Sequence, residues 1–154
     1  MPTMLKFSLF SFNQLDNHML YRLLQMRAEV FIVEQTCPYL DLDDKDTHPE
    51  ALHLLGYQDE HCVAYARCLP PGLSYDSPSI GRVLVTEQGR GKGYAYTLMQ
   101  EAIAQCLQQW PGQGITIGAQ VYLQDFYQKL NFLPISDVYL EDDIEHIDMV
   151  LPGE

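Results

Sequence analysis

Three glycines and two cations fall within five residues at Gly89–Arg90–Gly91–Lys92–Gly93. Glycines let backbone N–H groups approach oxygens closely, and the start of a helix carries partial positive charge, so this turn suits an anion. Cations are scarce here: Arg90 and Lys92 are two of 9 basic residues set against 21 acidic ones. Gathering them at one turn points to a phosphate; the alternative is a turn that only adds solubility. Two common phosphate loops fail on spacing. A P-loop needs G-x-x-x-x-G-K-[ST], but Thr86 stands where its first glycine belongs and Gly93 where Ser or Thr belongs. A dinucleotide fingerprint needs G-x-G-x-x-G near the first strand, but Gly91-x-Gly93 leads to Tyr96 and comes late in the chain.

Groups able to move protons are scattered more widely. Tyr127 lies in Asp125–Phe126–Tyr127–Gln128–Lys129–Leu130–Asn131–Phe132, where its ring reads either as packing or as a functional phenol. Glu34, Asp41, Glu141 and His146 could act as bases by residue type, as could other acidic side chains. Histidine's ordinary pKa, ~6.5, suits proton transfer near neutrality, although a strand-end histidine satisfied by a neighbour is an equal reading. Glu34, Asp41, Asp43 and Glu141–Asp142 together would draw a cation. Asp41-x-Asp43-x-Lys45 begins like a calcium loop, but Lys45, Asp46 and Leu52 occupy positions that need an oxygen ligand, a glycine and the closing glutamate. The four cysteines, Cys37, Cys62, Cys68 and Cys106, form no C-x-x-C pair. No metal is expected.

These residues must be held by a fold, and the composition allows one. With 47% hydrophobic and 19% charged residues over 154 positions, the chain can bury a core and is read as one domain, residues 1–154. A formal charge of −12 argues against a general nucleic-acid binder. No apolar run is long enough to span a bilayer, and polar residues break the N-terminus too early for a signal peptide. A cytoplasmic protein is expected. Alternation predicts a strand over residues 3–12, and Asp16 should cap a helix to about Val30 with Met19, Leu23, Met26 and Val30 on one face. Residues 31–50 read as a loop, with room for a short helix. Leu52–Tyr57 and Cys62–Leu69 read as a hairpin, and Ile80–Thr86 as a strand running into the glycine-rich turn. A helix to about Gln109 follows, then a strand over Ile115–Ala119 and a short helix over Leu123–Leu130. A last strand pair is predicted at Phe132–Leu140 and Ile147–Leu151. This order gives an α/β fold: a single domain with a mixed central sheet and helices on both faces.

The segment Arg90–Gly91–Lys92–Gly93–Tyr94–Ala95 follows the pattern R-x-x-G-x-A and resembles the acyl-CoA pyrophosphate loop of the GNAT N-acetyltransferases; the same pattern also fits one frame earlier, at Gln88, Gly91 and Gly93. The stretch from Phe126 to Phe132 is similar to the family's F-Y-x-x-x-G-F, with Asn131 in place of glycine. Met26–Gln35, Cys37–Pro38–Tyr39, Asp41, Asp43, His53, Gly118–Ala119–Gln120 and Tyr139–His146 resemble the ElaA-like branch of that family, with Asp143 where the branch usually has glycine. The resemblance implies a GNAT-like fold and direct transfer of the acetyl group of acetyl-CoA to a primary amine, cationic, carried by a small molecule or a protein. It implies that backbone groups of Val83, Leu84 and Val85 pair with the pantetheine arm. Amides of Arg90, Gly91, Lys92, Gly93, Tyr94 and Ala95 would hold the pyrophosphate, with Gln120 near a pantetheine amide and Tyr127 near the sulfur. The resemblance is also what implies a place for Glu34, Asp41, Glu141 and His146 around the acceptor. Catalytic roles would fall to Tyr127 as proton donor and to Glu34 or His146 as base. The alternative is a GNAT-fold module that binds CoA as a sensor without turnover.

Overall fold

The computed structural model describes residues 5–153. β1 (Lys6–Ser11) lies at one edge of the sheet; the first positions predicted for it, Thr3 and Met4, lie outside the described residues. The Asp16 carboxylate accepts the Met19 N–H at 2.8 Å and opens α1 (Asn17–Arg27). Leu23, Met26 and Val30 are buried, as the helical spacing predicts. The helix does not stop near Val30. It widens into a π-helical stretch over Ala28–Glu34, which carries Glu34 to the site described below.

β2 (Leu52–Gln58) and β3 (His61–Leu69) form the expected hairpin, and β3 pairs on its other side with β4 (Ser79–Val85). α2 (Tyr94–Gln109) follows the glycine-rich turn, then β5 (Ile115–Gln120) and α3 (Gln124–Gln128). The strand predicted over Phe132–Leu140 is instead two short pieces, β6 (Leu133–Pro134) and β7 (Tyr139–Glu141). Both pair with β8 (Ile144–Leu151), and the chain between them bows outward. Four residues, 135–138, stand opposite only Ile147 and Asp148, so the ladder loses its register between the two pieces. The strand order is β1-β2-β3-β4-β5-β8-β6, with β7 beside β6 on the outer edge of β8.

Strand alternation sends neighbouring residues to opposite faces. Leu54 and Ala64 join α2 residues Leu98, Met99, Ala102 and Cys106 in one core. Leu55 and Tyr65 join Leu23 and Met26 of α1 and Val30 of the π-helical stretch in the other. Helices therefore cover both faces, and no helix among the described residues is long and apolar enough to cross a membrane.

Two left-handed positions explain departures from the family pattern. Asn131 has φ 75°, a conformation that asparagine tolerates better than most residues. Asp142 (φ 52°) and Asp143 (φ 62°) form the two-residue turn between β7 and β8, where type I′ geometry favours glycine. Asp143→Gly should therefore stabilise the protein by up to about 1 kcal/mol, raising Tm by roughly 2–4 °C. A lowered Tm would contradict a left-handed backbone at this position.

Candidate active site

The site begins where two parallel strands part. β4 and β5 pair at one position, Ser79 with Thr116, while β5 goes on to pair with β8 over its whole length. A bulge drives the separation. Arg82 and Val83 of β4 stand opposite the single residue Ala66 of β3, and Arg82 takes φ 51°, an uncommon backbone for a non-glycine residue. Its guanidinium is anchored, with Nε 2.8 Å from Asp41 Oδ1, so the turn of the backbone is held from the side chain. The parted strands border a cavity of about 1050 Å³.

Val83, Leu84 and Val85 line the cavity from β4, and Gln120 from β5. Gln120 Nε2 donates to Gln35 Oε1 at 3.3 Å, tying the end of β5 to the segment after α1. Arg90 and Ala95 also line it, and Gly91, Lys92, Gly93 and Tyr94 make the turn between them. Gly91 (φ 79°) and Gly93 (φ 76°) are left-handed, with no atom within 4 Å of where a Cβ would stand, so the approach to the start of α2 is open. Arg90 folds back to the strand: Nε donates to the Val85 carbonyl at 2.9 Å and one terminal nitrogen to Glu34 at 2.6 Å. Lys92 donates to Gln58 Oε1 at 3.0 Å.

Tyr127 and His146 line the same cavity. The Tyr127 ring meets Phe126 and Phe132 edge to face, at centroid distances of 5.1 and 6.0 Å. Burial, aided by the neighbouring Tyr122, pushes its phenol up to about 12, so it keeps its proton near neutrality. His146 Nδ1 lies 2.7 Å from the Ile144 carbonyl, which can only accept, so the hydrogen of the neutral ring sits on Nδ1. Nε2 is left with its lone pair, 3.8 Å from Glu141 Oε2. The ring stacks on Tyr139 at 5.9 Å.

The acidic lure expected at Asp41 and Asp43 is not what these residues form. Arg27 binds Asp41 (2.7 Å) and Asp46 (2.6 Å), Arg67 binds Asp46 (2.9 Å) and Asp43 (2.8 Å), and Arg82 binds Asp43 (3.3 Å) and Asp41 (2.8 Å). The six side chains close an alternating ring whose charges cancel. His53 fastens it to the sheet: Nε2 donates to the Asp46 carbonyl at 3.0 Å, and Nδ1 accepts the Tyr65 hydroxyl at 2.7 Å. Glu34 is likewise paired, with Arg90. Of the proposed lure, Glu141 and Asp142 remain exposed at the cavity.

The profile of the acetyltransferase (GNAT) domain matches residues 17–152. The chain belongs to the GNAT family. Protein ElaA of Escherichia coli (strain K12) is 42% identical over 137 residues, 89% of this chain and 90% of ElaA. The crystal structure of Escherichia coli ElaA matches with a TM-score of 0.89 at 39% identity, over 96% of this chain and 99% of that one. An acyl-CoA N-acyltransferase from Pseudomonas aeruginosa matches with a TM-score of 0.90 at 37% identity, again over 96% and 99%. The fold expected from the resemblance, and its ElaA-like character, are borne out.

In this GNAT domain the glycine-rich turn offers a direct prediction. Valine at Gly93 must adopt a left-handed backbone and places a branched side chain over the start of α2. Gly93→Val should lower stability by about 1–2 kcal/mol, leaving the protein folded, and weaken acetyl-CoA binding at least tenfold by calorimetry. Equal affinity in the folded variant would remove the turn from the binding site. The sequence reading missed Asp148, Tyr75 and the three arginines. Asp148 was within reach, because it lies two positions beyond His146 on a strand and so shares its face.

Proposed function

We propose that this protein transfers the acetyl group of acetyl-CoA to a primary amine. The carrying observation is the opening between β4 and β5, with the glycine-rich turn and two proton-transfer side chains on one cavity. The residues fit the donor. Beyond Ser79 the β5-facing edge of β4 has no strand partner, so Val83–Val85 offer backbone groups to an extended amide-bearing arm. The open glycine turn at the start of α2 suits its pyrophosphate. Acetyl-CoA supplies an activated thioester.

The protein's own residues then handle protons. An alkylammonium has an ordinary pKa of ~10 and must lose a proton before its nitrogen attacks. His146 Nε2 accepts it, while the Ile144 carbonyl holds the Nδ1 hydrogen at 2.7 Å and Glu141 Oε2 lies 3.8 Å from Nε2. Glu34 is the weaker candidate, because its charge is engaged by Arg90 at 2.6 Å. Tyr127, protonated and buried beside the cavity, donates to the departing thiolate. All four cysteines are free and buried, which fits a reducing, cytoplasmic setting. The test is thiol release from acetyl-CoA with polyamines, aminoglycosides, amino acids and peptides. Release that rises with one amine class supports the proposal; none above the amine-free rate refutes it.

A further inference from the structure

We propose that Asp148 binds a second positive charge on the acceptor, so that the preferred substrate is a linear diamine or a comparable dicationic amine. The inference rests on the acetyl-transfer reading and names the substrate class of that site. His146 and Asp148 share one face of β8, while Ile147 and Met149 between and beyond them join the α2-side core. Asp148 lies directly across the ladder from Gly118, and His146 across from Gln120; Gly118, Gln120 and His146 line the cavity, and Asp148 adjoins it through Tyr75, which lines it too.

Gly118 has no side chain, and over it two tyrosine hydroxyls converge on the Asp148 carboxylate. Tyr139 donates to Asp148 Oδ1 at 2.7 Å and Tyr75 at 3.0 Å. Tyr75 lines the cavity, and Tyr139 stacks on His146. Among the described residues, Oδ2 has no hydrogen-bond or ion-pair partner, and no cationic side chain pairs with Asp148. This sets it apart from Asp41, Asp43 and Asp46, each bound to two arginines. A carboxylate oriented by two hydroxyls, with one oxygen free and aromatic rings on its flanks, suits an ammonium. Residues two apart on a strand stand about 7 Å apart, so a reacting nitrogen at His146 leaves a short-chain diamine's second nitrogen near Asp148.

The experiment compares diaminobutane, amines at both chain ends, with butylamine. Steady-state kinetics are run on the parent, Asp148→Asn and Gly118→Ala, with direct calorimetry of diaminobutane on the CoA-saturated protein. The parent should favour the diamine by roughly tenfold or more in kcat/KM. Asp148→Asn should erase that preference through KM, with kcat and the butylamine constants within about threefold of the parent. In Gly118→Ala the new Cβ would stand 2.9 Å from the Tyr75 hydroxyl and 3.1 Å from that of Tyr139, so the same loss should appear with the carboxylate kept. Equal use of the two amines by the parent, or a preference unchanged in folded Asp148→Asn, overturns the proposal. If acetyl-CoA binds but no amine is acetylated, the transfer reading fails by itself. Calorimetry then decides the subsite, according to whether diaminobutane binds the parent and is lost in Asp148→Asn.

Discussion

Tyr127→Phe should lower kcat by about 10²–10⁴-fold while leaving acetyl-CoA affinity nearly unchanged. The substitution keeps the ring and its edge-to-face contacts with Phe126 and Phe132, and so the packing of α3 against the core. It removes the hydroxyl alone. At 1.36 kcal/mol per tenfold, that loss corresponds to roughly 3–5 kcal/mol of transition-state stabilisation. The pH profile adds a second constraint. Because burial holds the phenol at about 12, Tyr127 stays protonated up to that range and puts no basic limb on the parent's profile below it. A Phe variant turning over within about threefold of the parent would reduce Tyr127 to a packing residue.

Arg27→Ala should cost about 3–5 kcal/mol of stability, or roughly 6–20 °C in Tm. Arg27 is fully buried and bonds both Asp41 and Asp46, so its removal leaves the buried Asp46 and the partly buried Asp41 carboxylates each short of a partner. Acid sensitivity should follow the same ring. Burial, the largest single influence on Asp43, would raise its pKa, but it is outweighed by Arg67, with help from the Lys45 N–H and Arg82, and the carboxyl falls to about 2. Asp46 is lowered too, burial again opposing and Arg27 and Arg67 prevailing. A carboxyl lowered by folding stabilises the protein above its unfolded pKa of ~3.9, and that contribution is lost as pH falls through the folded value. The parent should therefore lose stability below about pH 4, and Arg27→Ala should lose less over that interval. A melting temperature within about 2 °C of the parent would mean that the ring is not under the tension of burial.

Local chemistry was the legible part of this sequence. The glycine-rich turn, the Asp16 cap and the apolar face from Leu23 to Val30 all rest on residues close together in the chain. The parting of β4 from β5 was not legible, since alternation shows that a segment is a strand but not where its neighbour leaves it. Nor was the ion-pair ring. Asp41 and Asp43 are charged residues in a polar stretch, which ordinarily means solvent, and their partners are contributed by α1, β3 and β4. The broken strand at β6 and β7 was misread because its apolar residues run on past Pro134, and alternation does not show extra residues bulging from a ladder. Asp148 was missed for lack of a motif, yet its register with His146 follows from the two-residue period of β8.

The most direct measurement is mass analysis of the amine after incubation with the protein and acetyl-CoA, made alongside the thiol assay. Transfer predicts acetylated amine in equal amount to the CoA released, with both falling together in Tyr127→Phe. CoA release without acetylated amine would show hydrolysis, and saturable acetyl-CoA binding with neither product would make the protein a CoA-binding module; either result contradicts an acetyltransferase.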